Sequence, residues 1–245
     1  MVNVVIKHFL ILFLLVVFTS GCMYSEEIER QKDNPAFVNE EINRVQSAVE
    51  NYFEKNKTYP IKNSTEATPI YEKYILDLRK LIQSQLLSSI PKNAFENGGK
   101  YYYLLLTPET SPKVKLMDIS IFQQADELQK KVNRYALSHD GKLPFGSKIS
   151  TGFYSLDFKL LNSNEEQIQS MYSENFLPFL LSDSGDVVID YGLEIYNLLQ
   201  KQNQREYNSK LDLRTFLIEN SPYVPVKSYP YYWLNGEPQI TSPNK

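Results

Sequence analysis

Cysteine, histidine and glycine are scarce: the 245-residue chain has one Cys, two His and nine Gly. A single Cys excludes an internal disulfide and a multi-thiolate zinc site. So few Gly argue against a nucleotide-binding fold, whose phosphate turns depend on that residue. Basic charge is not in excess either. The 26 Lys and Arg stand against 29 Asp and Glu, a formal net charge of -3, and non-specific nucleic-acid binding needs a basic footprint. No nucleic acid, metal or cofactor is therefore expected. What the chain does have is apolar and aromatic material, 42% hydrophobic and 13% aromatic with 22% charged. That composition argues against wholesale disorder, and the length allows one or two domains with a real core.

The first 22 residues read as an address. Lys7 and His8 precede an unbroken apolar run, Phe9 to Phe18. At ~1.5 Å per residue that run falls short of the ~30 Å hydrocarbon core, and it fits the apolar centre of a signal peptide. It ends in Thr19-Ser20-Gly21-Cys22. Small residues ahead of the only Cys resemble a bacterial lipobox, with Thr19 where Leu is usual. The resemblance implies cleavage between Gly21 and Cys22 and a diacylglyceryl thioether on the Cys22 thiol. Two acyl chains, at ~0.8 kcal/mol per buried methylene, anchor durably in a bilayer. Residues 1–21 are thus expected to be a lipoprotein signal peptide. Residues 22–36, polar and closing on Asn34-Pro35, are expected to be a tether.

The remainder carries an internal echo. Val38, Ile42, Val45, Val49, Tyr52 and Phe53 follow a helical period. At one constant offset, Ile42, Val45, Val49 and Tyr52 find counterparts in Ala125, Leu128, Val132 and Tyr135. One residue of slippage then aligns Tyr59-Pro60 with Leu143-Pro144. Tyr52 and Tyr135 are expected on the buried faces of their helices. In the first copy, 71–87 reads as a second helix, and 100–106 and 113–119 as strands. In the second, 150–161 reads as extended, 176–181 and 186–191 as strands around the turn Ser182 to Gly185, and 193–202 as helix. The expected class is α+β, a tandem duplication of a helix-plus-β-hairpin unit over 37–119 and 120–202. An extended Pro- and Tyr-rich C-terminal segment follows over 203–245.

The stretch Ala48 to Pro60 (AVENYFEKNKTYP) resembles the helix-to-head junction of type IV pilins and pseudopilins. Those proteins continue their apolar helix into the mature chain, whereas here Cys22 ends the apolar run, so the likeness implies shared packing rather than shared function. With lipobox, size and tether together, the whole chain resembles envelope lipoproteins of Gram-positive, spore-forming bacteria. That resemblance brings no catalytic residues.

Few residues could carry chemistry. His139 is the one His outside the signal segment, beside Ser138 and Asp140. Neighbouring side chains on a turn are not expected to converge as a triad. The acidic pairs Glu26-Glu27, Glu40-Glu41 and Glu165-Glu166 read as solvated surface. Asp183, Asp186 and Asp190 around Gly185 read as turn formers rather than a calcium loop. The aromatics remain. Tyr101 to Tyr103 is expected to pack as strand core by alternation. Tyr229, Tyr231, Tyr232 and Trp233, before the hairpin signal Asn235-Gly236, are the candidate partner-binding residues. No catalytic residue is assigned. The sequence reads as a non-enzymatic interaction or assembly module of the cell envelope, lipid-anchored to the extracytoplasmic face of the membrane, with an envelope protein or peptidoglycan as partner and a role in sporulation as its suggested setting. The alternative is a cell-wall glycan hydrolase using a carboxylate pair.

Overall fold

Asn34-Pro35, read from sequence as the end of a tether, opens a helix instead. The Asn34 side chain accepts the Ala36 N–H at 2.9 Å, and Pro35 takes the first helical turn, where its missing N–H leaves nothing unsatisfied. The computed structural model describes residues 34–107, 109–202 and 207–242. The signal segment, Gly21, Cys22 and most of the 22–36 tether lie outside the described residues. Among those described, no helix is long and apolar enough to cross a membrane.

The chain is α+β, and its first two units follow the same path. Helix α1 (Pro35–Asn56) is followed by a turn at Tyr59-Pro60. Ile61 then bridges Leu76, and Ile75 bridges Leu104 of β1 (Tyr101–Leu106). Strand β1 pairs with β2 (Lys113–Asp118) through Leu104↔Lys115 and Leu105↔Val114. In the second unit, helix α3 (Ile119–Ser138) leads to the turn at Leu143-Pro144. Phe145 of β3 (Phe145–Ser150) pairs with Leu156 of β4 (Phe153–Leu156), and Ser155 pairs with Leu180 of β6 (Phe176–Ser182). Leu180 and Leu181 then pair with Val188 and Val187 of β7 (Val187–Ile189). Strand β5 (Gln167–Gln169) adds to the first half of β6.

The correspondence extends to single hydrogen bonds. The Pro60 carbonyl accepts the Asp77 N–H at 2.6 Å, and the Pro144 carbonyl accepts the Asp157 N–H at 2.9 Å. Asp77 caps α2 (Leu78–Gln83), and Asp157 accepts the N–H groups of Lys159 and Leu160 in the matching turn. In each unit one glutamine locks helix to hairpin. Gln46 Oε1 accepts the Val114 N–H at 2.7 Å, and its Nε2 donates to the Pro112 carbonyl at 3.0 Å. Gln129 Oε1 accepts the Val187 N–H at 2.7 Å, and its Nε2 donates to the Gly185 carbonyl at 2.9 Å. These amides satisfy backbone groups near the start of the second hairpin strand that, by antiparallel alternation, face away from the paired strand.

Two apolar cores result. Val38, Val45, Ala48 and Val49 of α1 pack on Tyr101, Tyr103, Leu105, Val114 and Leu116. The opposite face of the same hairpin, with Leu104, Leu106 and Met117, opens onto a larger core holding Leu128 and Val132 of α3 and most of β6 and β7. Strand β1 is therefore buried on both faces, which is why its second half reads as continuous leucine.

Two expectations need correction. Of 71–87 only α2 is helical. The Leu76 N–H donates to the Tyr103 carbonyl and the Leu105 N–H donates to the Tyr74 carbonyl, so pairing with β1 takes these backbone groups out of any helix. Tyr52 and Tyr135 are half-buried at the margins of their helices rather than in the core. The Tyr135 ring stacks on His139 at 3.9 Å.

The chain then supplies helices α4 (Gly192–Lys201) and α5 (Arg214–Glu219) and a strip over 222–227. This strip covers the outer edges of both units. The Leu116 N–H donates to the Pro222 carbonyl at 2.9 Å and the Leu116 carbonyl accepts the Val224 N–H at 3.0 Å; the Ile189 N–H donates to the Lys227 carbonyl at 2.8 Å. Lys227 also bonds Glu72 through its N–H at 3.0 Å and lies 4.1 Å from the Phe122 ring centre, joining both units. Lys115 Nζ donates to the carbonyls of Ile218 and Ser221 at 2.6 Å each, closing the C-terminal end of α5. Arg214, almost fully buried, pairs with Asp212 and donates to the Ser228 carbonyl at 2.8 Å. The segment expected as extended is thus partly helical and hairpin-forming, and it is built into the body of the protein.

The two glutamines should contribute similarly. A net hydrogen bond is worth roughly 1 kcal/mol, so Gln46→Ala and Gln129→Ala should each lower stability by about 1–3 kcal/mol, with near-additive losses in the double variant because the sites are far apart. Denaturant midpoints measure this; an unchanged midpoint in either variant would remove the lock from the account.

Candidate interaction groove

Pro230 precedes β8 (Tyr231–Leu234), which turns through Asn235-Gly236 into β9 (Glu237–Ile240). Asn235 (φ 54°) and Gly236 (φ 86°) take the left-handed angles that a two-residue hairpin turn requires, so the sequence signal was sound. The register pairs Tyr231 with Ile240 and Tyr232 with Gln239. Backbone groups in an antiparallel pair alternate sides. Tyr231 accordingly turns away from β9: its carbonyl accepts the Leu213 N–H at 2.8 Å and its N–H donates to Asp212 at 3.3 Å. The same alternation turns the Pro238 carbonyl and the Ile240 N–H away from β8, on the outer edge of β9.

That edge lines a groove of ≈ 860 Å³ whose other walls are Lys148 to Thr151 at the end of β3 and Gly192, Leu193 and Tyr196 of α4. Three of its large apolar residues stand in solvent: Ile149 (54% exposed), Leu193 (52%) and Tyr196 (40%). The fixed point beneath them is Tyr231, 1% exposed. Its hydroxyl donates to Asp190 Oδ1 at 2.7 Å and accepts the Tyr191 N–H at 2.9 Å, while Asp190 Oδ1 also accepts the Gly192 N–H at 2.8 Å. One carboxylate therefore ties hairpin to helix. Burial, reinforced by the Asp190 charge, raises the Tyr231 phenol well above its ordinary pKa.

The four aromatics expected to form a partner surface have different situations. Tyr231 is a core residue, a correction that follows from strand alternation: its side chain points inward, where a hydroxyl is held by two partners. Tyr229 is half-buried, its hydroxyl donating to Asp186 at 2.6 Å and its ring edge-on to Phe153 at 5.7 Å. Trp233 is half-buried with its ring 5.2 Å from that of Tyr207, and Tyr232 is half-buried on β8. The groove's own apolar residues, Ile149, Leu193 and Tyr196, escaped the sequence reading. A signal existed for two of them: α4 carries apolar residues at Leu193, Ile195, Tyr196, Leu198 and Leu199, more than one buried face can use.

Other expectations about chemistry can be placed. Ser138 Oγ lies 2.9 Å from His139 Nδ1, so these neighbours do meet, against the expectation that they would not. They sit at an exposed helix end where both also contact the Tyr135 carbonyl, which fixes them locally. Asp186 accepts from Ser184 at 2.7 Å and from Tyr229, and Asp190 serves Tyr231 and Gly192, so the acidic turn residues have separate tasks. Among the described residues no group of three His, Cys, Asp or Glu side chains could hold a metal ion. Glu41 pairs with Arg44 and Glu166 with Lys131, while Glu26-Glu27 lies outside the described residues.

Fold and groove together define an α+β protein of helix-plus-meander units with one strand edge facing a groove of mixed polar and apolar lining. Residues 38–118 match the family model of the YphF family N-terminal domain. The match starts inside α1 and ends on Asp118, the last residue of β2, whose carboxylate caps α3. None of the curated proteins and none of the solved structures compared matches the chain.

The phenols give a pH signature. Burial pushes Tyr71 up to about 12, the Arg214 charge opposing it, and burial with the Asp186 hydrogen bond pushes Tyr229 up to about 12. The unfolded value is 10.0, so their neutral forms stabilise the fold fully below that pH, and this contribution is lost as pH rises through about 12. Denaturant midpoints should therefore fall steadily above pH 10, and Tyr229→Phe should flatten part of that fall. Midpoints independent of alkaline pH would contradict the assignment. Tyr231→Phe should cost about 1–3 kcal/mol, because it leaves Asp190 and the Tyr191 N–H short of a partner.

Proposed function

We propose that this protein is a lipoprotein held at the extracytoplasmic face of the cell membrane through acylated Cys22, and that its folded part is a non-enzymatic interaction module of the envelope. The observation that carries the interaction reading is the groove: Ile149, Leu193 and Tyr196 are exposed around an unpaired strand edge. A strand edge with unpaired N–H and C=O groups is a template for pairing with another chain, and exposed apolar side chains beside it add to that capacity. The anchoring reading is supported by the apolar run Phe9 to Phe18 and the small residues before the single Cys. We also read the two units as products of tandem duplication. Matching bridges, matching proline turns and the paired glutamines favour a common origin, because any two helices share a period but not a set of side-chain bonds.

Anchoring is tested by Cys22→Ala in the full chain. Radiolabelled palmitate should mark the wild type and not the variant, and the variant should leave the membrane fraction or persist as precursor. Label retained by the variant would defeat the lipoprotein reading. The interaction reading is tested by photo-crosslinking from Leu193 in intact cells, with Lys159 outside the groove as control. Discrete adducts from Leu193 and none from Lys159 are expected; equal labelling from both would count against the groove.

A further inference from the structure

The segment after β7 follows the opening of the same unit a third time. Asp118 accepts the Ser120 N–H where α3 begins, and Asp190 accepts the Gly192 N–H where α4 begins. Tyr229-Pro230-Tyr231 then stands where Tyr59-Pro60-Ile61 and Leu143-Pro144-Phe145 stand in the first two units. The Pro230 carbonyl accepts the Thr241 N–H at 2.8 Å, as Pro60 accepts Asp77 and Pro144 accepts Asp157. The pair Tyr231↔Ile240 repeats Ile61↔Leu76 and Phe145↔Leu156.

In the first two units the next strand is paired on its far side. Ile75 bridges Leu104, with the Leu76 N–H donating to the Tyr103 carbonyl and the Tyr74 carbonyl accepting from Leu105. Ser155 pairs with Leu180 in the same position. By register, Gln239 stands where Ile75 and Ser155 stand, and the groups left to pair are the Ile240 N–H and the Pro238 carbonyl. Pro238 fits this scheme, because the bond made at Tyr74 uses only its carbonyl. Among the described residues no strand pairs with this edge of β9. Across the groove, Ser150 carries a buried hydroxyl with no hydrogen-bond partner among the described residues.

We infer that the outer edge of β9 receives an extended, uncharged, leucine- and aromatic-rich strand from a different protein, running antiparallel to it as β1 and β6 run against the corresponding strands of their own units. This rests on reading the groove as a contact surface. The occupant's chemistry follows from the residues that fill the position internally, Tyr103-Leu104-Leu105 and Phe179-Leu180-Leu181. Main-chain bonds to Pro238 and Ile240 would hold the strand, and side chains on its inner face would cover Ile149, Leu193 and Tyr196.

The probe is a synthetic peptide reproducing residues 101–106 with two lysines at each end, added to the full chain in nanodiscs. Hydrogen exchange read by mass spectrometry over 237–242 should slow by roughly tenfold or more, as for an amide drawn into a ladder. The same peptide with an N-methyl group on its central leucines cannot donate to Pro238 and should bind at least about tenfold more weakly, since it forfeits a hydrogen bond. Leu193→Asp should weaken the unmodified peptide with unchanged circular dichroism. No protection at saturating peptide, or equal binding by the N-methyl form, overturns strand pairing, while the Leu193 crosslinks judge the groove separately. Protection of 237–242 that grows with protein concentration without peptide also overturns it, by making a second copy the occupant.

Discussion

A strand edge must find partners for its backbone or leave it to water, and most of this architecture answers that constraint. The hairpin β1–β2 and the meander ending in β7 each present an outer edge, at Leu116 and Ile189. One strip of chain, 222–227, bonds to both. Prolines suit such a strip because they lack an N–H where none is required and keep the backbone extended. The outer edge of β8 is met in turn by Asp212 and Leu213. The buried Arg214 and the half-buried Lys115 and Lys227 are fastenings for the strip: Lys115 reaches carbonyls on its approach, Arg214 the Ser228 carbonyl just beyond it, and Lys227, within it, pairs with Glu72 of the first unit.

The glutamines explain why helices and hairpins keep their relative position. Apolar packing is non-directional and would allow α1 or α3 to slide over its sheet. A side-chain amide that accepts from one residue and donates two positions away has only one register. Gln46 and Gln129 therefore convert a greasy contact into a fixed one, and they do so from equivalent helical positions.

Much of this was readable from the residues. Helical period, the Tyr-Pro and Leu-Pro turns, the Ser182 to Gly185 turn and Asn235-Gly236 each placed an element, because the signals are local and steric. The failures were long-range. Residues 71–77 carry a helical spacing but pair with β1, a strand some thirty positions later, and no local pattern announces that partner. The tyrosines at 229–233 looked like one surface because composition ignores alternation; Tyr231 went inward and took Asp190 with it. The groove was invisible because it lies between β3, α4 and β9, three segments that only the fold brings together. The likeness of the two units was legible in outline, yet its closest correspondence, between Gln46 and Gln129, involves polar residues that a search for apolar period passes over.

The strip that closes both units has a consequence for the order of synthesis. It emerges from the ribosome after both of them. Until it arrives, Leu116 and Ile189 belong to bare edges, and a partly made chain offers two templates for unwanted pairing with its neighbours. The arrival of this strip thus ends the vulnerable period, and a truncation ahead of Pro222 would leave a protein permanently in it.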